Sequence, residues 1–165
     1  MHLLARQIVD EIQAAHLERE IQLEQSGDGC GEGDSDRLAQ VLTNLVRNAI
    51  NYSPPGTPVR VESRGSGDSL LLRVHNQGPP IPPETAAVLF QPMRRGSEHA
   101  ERGRQGLGLG LFIVRQIVVA HEGTVDCQSS EAEGTTFTVT LPRNGGTKDA
   151  VPISPTIQPV PPETH

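Results

Sequence analysis

Residues 106–114 read Gly-Leu-Gly-Leu-Gly-Leu-Phe-Ile-Val, three glycines that alternate with leucines and then give way to an apolar run. Glycine lets the backbone approach a ligand closely and adopt positive φ. A helix that begins beside such a loop offers unpaired N–H groups and the positive end of its dipole, which suit a phosphate. The stretch lacks the Gly-Lys-Ser/Thr ending of one common nucleotide loop, and Leu111 stands where a dinucleotide fingerprint needs its third glycine. Taken alone, the pattern fits a flexible loop before a core helix equally well.

The composition predicts a soluble domain with an aliphatic core. The 165 residues include no tryptophan, one tyrosine and three phenylalanines. The net charge of −6 argues against a nucleic-acid surface. No apolar run reaches membrane length and no signal peptide opens the chain, which predicts a cytoplasmic domain without direct membrane contact, although a longer parent protein can be membrane-anchored. Cys30 and Cys127 lie in unrelated contexts and are expected to be free thiols. A local group of arginines is typical of anion handling and comprises Arg94, Arg95, Arg102 and Arg104.

The spacing of apolar residues divides the chain into helices and strands. Helices are predicted over residues 3–17, 36–51, 84–90 and from the glycine-rich loop to about residue 120, with strands over residues 20–25, 58–64, 69–75, 124–129 and 135–141. This order predicts an α+β fold, a two-layer sandwich in which about three helices cover one face of a mixed sheet of about five strands. Residues 91–105 are polar and aperiodic, which predicts a mobile loop. The proline-rich residues 143–165 are predicted to form a disordered tail.

The predicted helix at residues 36–51 carries a polar stripe. At about 100° per residue, apolar side chains cover one broad arc of this helix, and the stripe opposite comprises Arg37, Gln40, Asn44, Asn48 and Asn51. An ordinary solvated face would favour Glu, Lys or Arg, because asparagine is a poor helix former. Aligned amide oxygens can instead ligate a hard cation such as Mg²⁺ beside phosphates. We interpret the stripe as part of a binding site, and a plain solvated face is the alternative.

A third segment begins at Asn76, where a predicted strand leads into Gln77-Gly78-Pro79-Pro80-Ile81-Pro82. An asparagine amide offers both an acceptor and a donor to a purine edge. An Asx-turn into a proline-rich loop would use the same residue types, and for this segment alone it is the simpler interpretation.

In this order, the segments resemble the catalytic ATP-binding domain of sensor histidine kinases, within the wider group of DNA gyrase B, Hsp90 and MutL. The resemblance covers about residues 34–142 and five motifs. Residues 42–53 resemble the N box, 76–82 the G1 box, 89–92 the F box, 106–110 the G2 box and 134–137 the closing Gly-Thr motif. The resemblance implies the Bergerat ATP-binding fold, with ATP and Mg²⁺ as cofactors.

The resemblance also implies a role for each matching residue. Asn48 would ligate Mg²⁺ with Asn44 in support, and Arg95 would reach the terminal phosphate from an ATP lid at residues 91–105. Tyr52 would lie against the adenine, and Asn76 would stand where the family commonly has the aspartate that binds the adenine amino group. The other nucleotide-binding positions implied are Asn51, Gly78, Ile81, Gly106, Leu107, Gly108, Leu109, Gly110 and Thr135. Four positions depart from the family pattern: Asn51, Asn76, Pro80 and Met93.

One position separates kinase from ATPase chemistry. Gyrase-like relatives carry a glutamate one helical turn before the Mg²⁺ asparagine, whereas this chain has Asn44, and an amide cannot deprotonate water. The sequence therefore favours a histidine kinase, which transfers the γ-phosphate to a histidine on a separate helical domain. His121-Glu122 superficially resembles the family's acceptor pair, but it lies at the end of the glycine-loop helix, and we interpret it as structural.

The resemblance implies three parts. Residues 1–18 would be a linker helix left from an absent phosphoacceptor domain and packed on the sheet, residues 19–142 the catalytic domain, and residues 143–165 the tail. The expected partners are the dimerisation and phosphoacceptor helical domain of the parent kinase and a response regulator, and the isolated domain is expected to be monomeric. The alternatives are a serine kinase of the anti-sigma-factor type on the same fold, or a degenerate domain that binds nucleotide or protein without chemistry.

Overall fold

A computed structural model describes residues 1–92 and 109–144 of the chain. Its elements, in order, are α1 His2–Ala15, β1 Ile21–Ser26, α2 Ser35–Tyr52, β2 Val59–Ser66, β3 Ser69–Asn76, α3 Pro83–Ala86, α4 Gly110–Ala120, β4 Thr124–Ser130 and β5 Gly134–Pro142. The predictions for Met93, for the four arginines, and for all but the first two residues of the segments 91–105 and 143–165 lie outside the described residues.

The strands form one five-stranded sheet in the order β1-β2-β3-β5-β4. β1 pairs in parallel with β2, since α2 crosses over between them, and the remaining pairs are antiparallel. α2 packs between α1 and α4, and all three helices also contact strands. The predicted α+β fold, with a mixed sheet and its helices in a second layer, is confirmed.

The core between the layers is aliphatic apart from one ring. Phe137 is 1% exposed, and its neighbours in the core are almost all valine, leucine, isoleucine and alanine. Phe90 meets Phe137 edge-on, with ring centroids 6.3 Å apart and an interplanar angle of 84°. This contact joins the F-box segment to the middle of β5.

The short helix predicted at residues 84–90 is wrong in extent, because α3 covers only Pro83–Ala86. Beyond α3 the backbone bonds run from Val88 N–H to Thr85 O and from Gln91 N–H to Val88 O. These bonds span three residues rather than four, so the chain tightens into successive turns.

The loop at residues 27–33 holds the beginning of α1 to the end of β5. From α1, the His2 ring donates from Nε2 to Gly27 O at 3.2 Å, and its Nδ1 is hydrogen-bonded to the buried Ser63 hydroxyl of β2 at 2.8 Å. From the end of β5, the Arg143 guanidinium donates to Asp28 O at 2.6 Å and to Cys30 O at 2.9 Å. Arg143 begins the predicted tail, yet its side chain is bound to this loop.

α4 ends with a left-handed residue that is not glycine. Glu122 has φ +58°, and the amides of Glu122 and Gly123 bond to Val119 O and Val118 O, each at 2.9 Å. This is the Schellman arrangement, in which the left-handed position favours glycine.

We expect Glu122→Gly to raise the free energy of unfolding by about 1 kcal/mol relative to Glu122→Ala. Urea denaturation measures this difference. The alanine variant also lacks the Glu122 carboxylate, so the comparison isolates the steric cost of a side chain at positive φ. Equal stability of the two variants would show that the left-handed backbone carries no cost.

Candidate functional site

The predicted site residues that the structure describes come from four segments of the fold. They belong to the C-terminal half of α2, the start of α4, the end of β3 with its following loop, and the start of β5: Asn44, Asn48, Asn51, Tyr52, Asn76, Gly78, Ile81, Leu109, Gly110 and Thr135. Arg95, Gly106, Leu107 and Gly108 lie outside the described residues.

The polar stripe of α2 faces the beginning of α4. Asn44 donates from Nδ2 to the carbonyl of Gly110 at 3.4 Å, which joins the two helices. Asn44 and Asn48 are half-buried, whereas Asn51 is exposed. The stripe is therefore not a uniformly solvated face, and Asn44 lies against the end of the glycine-rich segment.

The end of α2 also touches the loop that follows β3. A Cβ built on Gly78 would lie 2.5 Å from the carbonyl oxygen of Tyr52, so only glycine allows this approach. The same Cβ would lie 3.5 Å from Nδ2 of Asn76. Tyr52, Gly78 and Asn76 are thus brought together although they come from separate elements.

Asn76, the last residue of β3, is 3% exposed. Its Nδ2 donates to the carbonyl of Gln77 at 2.9 Å, and its Oδ1 accepts no hydrogen bond from the described residues. This oxygen is not sealed from solvent, so a water or a ligand donor can reach it. The bond to Gln77 also fixes the amide, so that Oδ1 is the atom left to accept from a ligand.

A hydroxyl chain holds the loop after β3 against the last hairpin. The backbone N–H of Ile81 donates to Ser129 Oγ at 2.9 Å, and Ser129 Oγ lies 2.7 Å from Thr135 Oγ1. Sequence reasoning missed Ser129, because a serine on an edge strand carries no local signal of its partner. It also named Gly134 only as part of a motif, whereas a Cβ there would lie 2.4 Å from Asn76 O.

His121 is 4% exposed, and both of its ring nitrogens are hydrogen-bonded. Nδ1 donates to Ile117 O at 2.8 Å, and Nε2 accepts from the Asp34 N–H at 3.1 Å. The donor and acceptor identities of these partners require a neutral ring with the proton on Nδ1. Asp34 in turn caps α2 through its side chain. The nucleophilic lone pair of His121 is thus already used, as expected of a structural histidine.

The described titratable groups with shifted pKa values do not make an acid–base centre at the site. Burial, followed by the Arg60 charge, lowers the pKa of His75 below its ordinary value. His75 contacts Thr136 Oγ1 on the face of the sheet opposite Asn76, because successive strand residues alternate. Burial raises the pKa of the Cys127 thiol to about 11. Both Cys30 and Cys127 are free, as predicted.

Among the described residues, no group of three or more His, Cys, Asp or Glu side chains could hold a metal ion. A cation here would depend on amide and phosphate oxygens, which fits Mg²⁺, since that ion commonly takes one or two protein ligands plus substrate phosphates. Over the same residues, no helix is both long and apolar enough to span a bilayer.

Three comparisons bear on this geometry. Residues 33–145 match the family model described as histidine kinase-, DNA gyrase B-, and HSP90-like ATPase. The sensor histidine kinase CusS of Escherichia coli O157:H7 is 38% identical over 139 residues, which are 84% of this chain and 29% of CusS, so the chain spans under a third of that relative. The nucleotide-free catalytic domain of the histidine kinase ThkA is 28% identical with a TM-score of 0.73, covering 88% of this chain and 93% of that one. ThkA in complex with the response regulator TrrA is 26% identical with a TM-score of 0.71, covering 88% of this chain and 41% of that one.

Proposed function

The chain belongs to the family of histidine kinase-, DNA gyrase B-, and HSP90-like ATPases, and we propose that it binds Mg²⁺·ATP and donates the γ-phosphate to a histidine on a separate helical domain of a sensor kinase. The observation that carries this proposal is the amide oxygen of Asn76, which accepts no bond from the described residues and is not sealed from solvent, beside the contact of Gly78 with Tyr52. An accessible acceptor at this point suits the amino group of a purine base, in a domain whose relatives are histidine kinases.

On the base side, Asn76 Oδ1 accepts from the adenine amino group, and Tyr52 and Ile81 pack against the ring. Gly78 lets this loop close against the Tyr52 carbonyl, because it has no side chain. Thr135 acts through its contact with Ser129, which holds the Ile81 amide. The base is thereby held by one amide acceptor and a loop that is hydrogen-bonded to Ser129.

On the phosphate side, Asn48 offers an amide oxygen for Mg²⁺, which when bound would neutralise phosphate charge. Asn44 positions the start of α4 through the Gly110 carbonyl. Leu109 and Gly110 contribute backbone at the helix N-terminus, and Asn51 faces solvent where a phosphate could reach it. The resemblance assigns phosphate contacts to Arg95, Gly106, Leu107 and Gly108.

These residues position a nucleotide and help to neutralise its phosphate charge. They include no general base that could deprotonate an attacking water molecule. An amide at Asn44 cannot remove a proton, so hydrolysis is slow and the γ-phosphate is kept for an imidazole nucleophile. The phosphoacceptor helical domain and a response regulator are then the partners, as the complex of ThkA with TrrA suggests. α1, which lies on the sheet through Ala5, Ile8, Val9 and Ile12, is the linker to that helical domain. Because its proposed partners are those of a sensor kinase, we also propose that this domain works in the cytoplasm.

Calorimetric titration with ADP, in Mg²⁺ and in EDTA, tests nucleotide binding. Incubation with γ-labelled ATP and the helical domain of a sensor kinase such as CusS tests transfer. Acid-labile label on that domain would support a histidine kinase, and acid-stable label on a protein partner would favour the serine kinase alternative. Failure to bind ADP in Mg²⁺ would refute the proposal.

We expect no label on this chain itself after incubation with γ-labelled ATP at neutral pH. His121 is the residue closest to an acceptor pair in sequence, and its Nε2 lone pair already accepts from the Asp34 N–H. Acid-labile label mapped to His121 by mass spectrometry would contradict this structural role. The variant His121→Gln, tested in parallel, would show whether any label depends on that ring.

We expect ADP to bind more tightly than GDP, and Asn76→Asp to widen the ratio by about threefold to tenfold. A guanine O6 needs a donor, so the wild-type amide must turn over and lose its bond to Gln77 O. A carboxylate cannot supply a donor in either orientation at neutral pH. Competition binding of both nucleotides to both proteins measures this. An unchanged ratio would remove Asn76 from the base site.

A further inference from the structure

Arg19, in the turn between α1 and β1, binds the end of α2. Its guanidinium donates from Nη1 to the carbonyl of Pro54 at 2.7 Å and from Nη2 to the carbonyl of Ser53 at 3.1 Å. These carbonyls directly follow the last turn of the helix, where a cation also complements the helix dipole. One side chain thus fixes two successive peptide groups across 34 and 35 residues of sequence.

The turn that carries Arg19 is itself organised by Gln13 of α1. Gln13 Nε2 donates to Arg19 O at 2.6 Å and to His16 O at 3.1 Å, and its Oε1 accepts from the Ile21 N–H at 2.9 Å. The half-buried amide therefore bonds to both sides of the turn. The position of Arg19 therefore depends on the position of the C-terminal end of α1.

The residues that Arg19 holds adjoin the proposed base site. Ser53 is 7% exposed, and its hydroxyl donates to Ala49 O at 2.5 Å, which closes the last turn of α2. The preceding residue is Tyr52, whose carbonyl packs against Gly78. A shift of Ser53 relative to the sheet would therefore move both Tyr52 and the loop after Asn76.

We propose that Arg19 is a positioning residue that couples α1 to the base side of the nucleotide site, through the Ser53 and Pro54 carbonyls. This inference rests on the proposed nucleotide function and adds a regulatory input to it. Displacing α1 weakens the Arg19 contacts and lowers nucleotide affinity. By linkage, bound nucleotide stabilises the Arg19 contacts to the same extent.

A single fluorophore reports on this coupling. The chain has one tyrosine and no tryptophan, so its tyrosine emission comes from Tyr52 alone. We expect Arg19→Gln to change the emission and to weaken ADP binding in Mg²⁺ by about tenfold, within the usual range of coupling. Arg19→Lys should lose less, because an ammonium retains a charged donor but cannot present the guanidinium fork to two carbonyls.

Arg6→Gln is the matched control, since it also removes one arginine charge, and among the described residues Arg6 reaches only the Gln25 side chain at 3.4 Å. Its ADP affinity should stay within about twofold of the wild type. All titrations are run well below the melting temperature of each variant, so that a purely structural loss lowers stability without changing the affinity of the folded protein.

Unchanged ADP affinity and Tyr52 emission in Arg19→Gln would overturn the coupling, as would an equal loss in Arg6→Gln. Wild-type protein that fails to bind ADP would refute the nucleotide function instead. In that case the Tyr52 emission of Arg19→Gln still decides whether Arg19 positions the end of α2.

Discussion

Replacing Asn48 with alanine is expected to abolish Mg²⁺-dependent nucleotide binding while leaving the fold intact. Asn48 lies half-buried on the polar stripe of α2, one turn after Asn44, and its neighbours Leu45 and Ala49 on the other side of the helix form the core. Alanine removes no core volume and is the better helix former. Loss of the proposed metal ligand should weaken ADP binding in Mg²⁺ by about 100-fold or more.

Calorimetry with ADP, in Mg²⁺ and in EDTA, measures this effect. Gln116→Ala is the control, because it removes an exposed amide from α4, a helix that also contacts α2. The control should bind as the wild type does, and both variants should melt at or above the wild-type temperature. Wild-type affinity in Asn48→Ala would mean that the asparagines form only a solvated face.

Gly134→Ala is expected to cost about 2–4 kcal/mol of folding free energy and to disturb the base site. Gly134 has φ +74°, and an added Cβ would lie 2.4 Å from Asn76 O and 3.1 Å from Gln77 Cα. Both contacts are backbone atoms, so no flexible side chain can move aside. The strand end that carries Asn76 must shift, and ADP affinity should fall with stability.

Gly67→Ala separates the cost of a side chain at positive φ from the cost of the clash with Asn76 and Gln77. Gly67 has φ +56°, but a Cβ there would meet nothing within 4 Å, so this variant has the unfavourable backbone without the clash. We expect it to cost only about 1 kcal/mol and to leave ADP affinity unchanged. Urea denaturation and ADP titration of both variants provide the comparison. A Gly134→Ala cost no larger than that of Gly67→Ala would show that the approach to Asn76 is not a constraint.

The sequence predicted what depends on local pattern. Apolar spacing gave the strands within one residue at each end, except at the end of β2, which lies two residues further on, because most of the strands alternate between a more buried and a more exposed face. The asparagines of α2 were recognisable because they contradict helix propensity, and Asn76 because it ends a strand before a proline-rich loop. α4 was predicted from the apolar run that begins after Gly110.

Long-range contacts had no comparable signal. Arg19 and Arg143 look like ordinary surface arginines in the sequence, yet each binds carbonyl groups of distant segments, up to 115 residues away for Arg143. Ser129 and Gly134 owe their importance to the end of β3 and the loop after it, whose Ile81 amide binds Ser129 and whose Asn76 carbonyl approaches Gly134. The fixed orientation of the Asn76 amide was also missed, because the partner is a backbone carbonyl.

The loop at residues 27–33 receives His2 at one end of the described domain and Arg143 at the other, through Gly27, Asp28 and Cys30. Because the two ends of the described domain lie close together, such a domain can be inserted into or removed from larger proteins without changing the path of its strands. Exchange of the segments that adjoin α1 or β5 would leave the contacts between the helices and strands of the domain unchanged. Evolution could thus reuse one nucleotide module behind many different inputs.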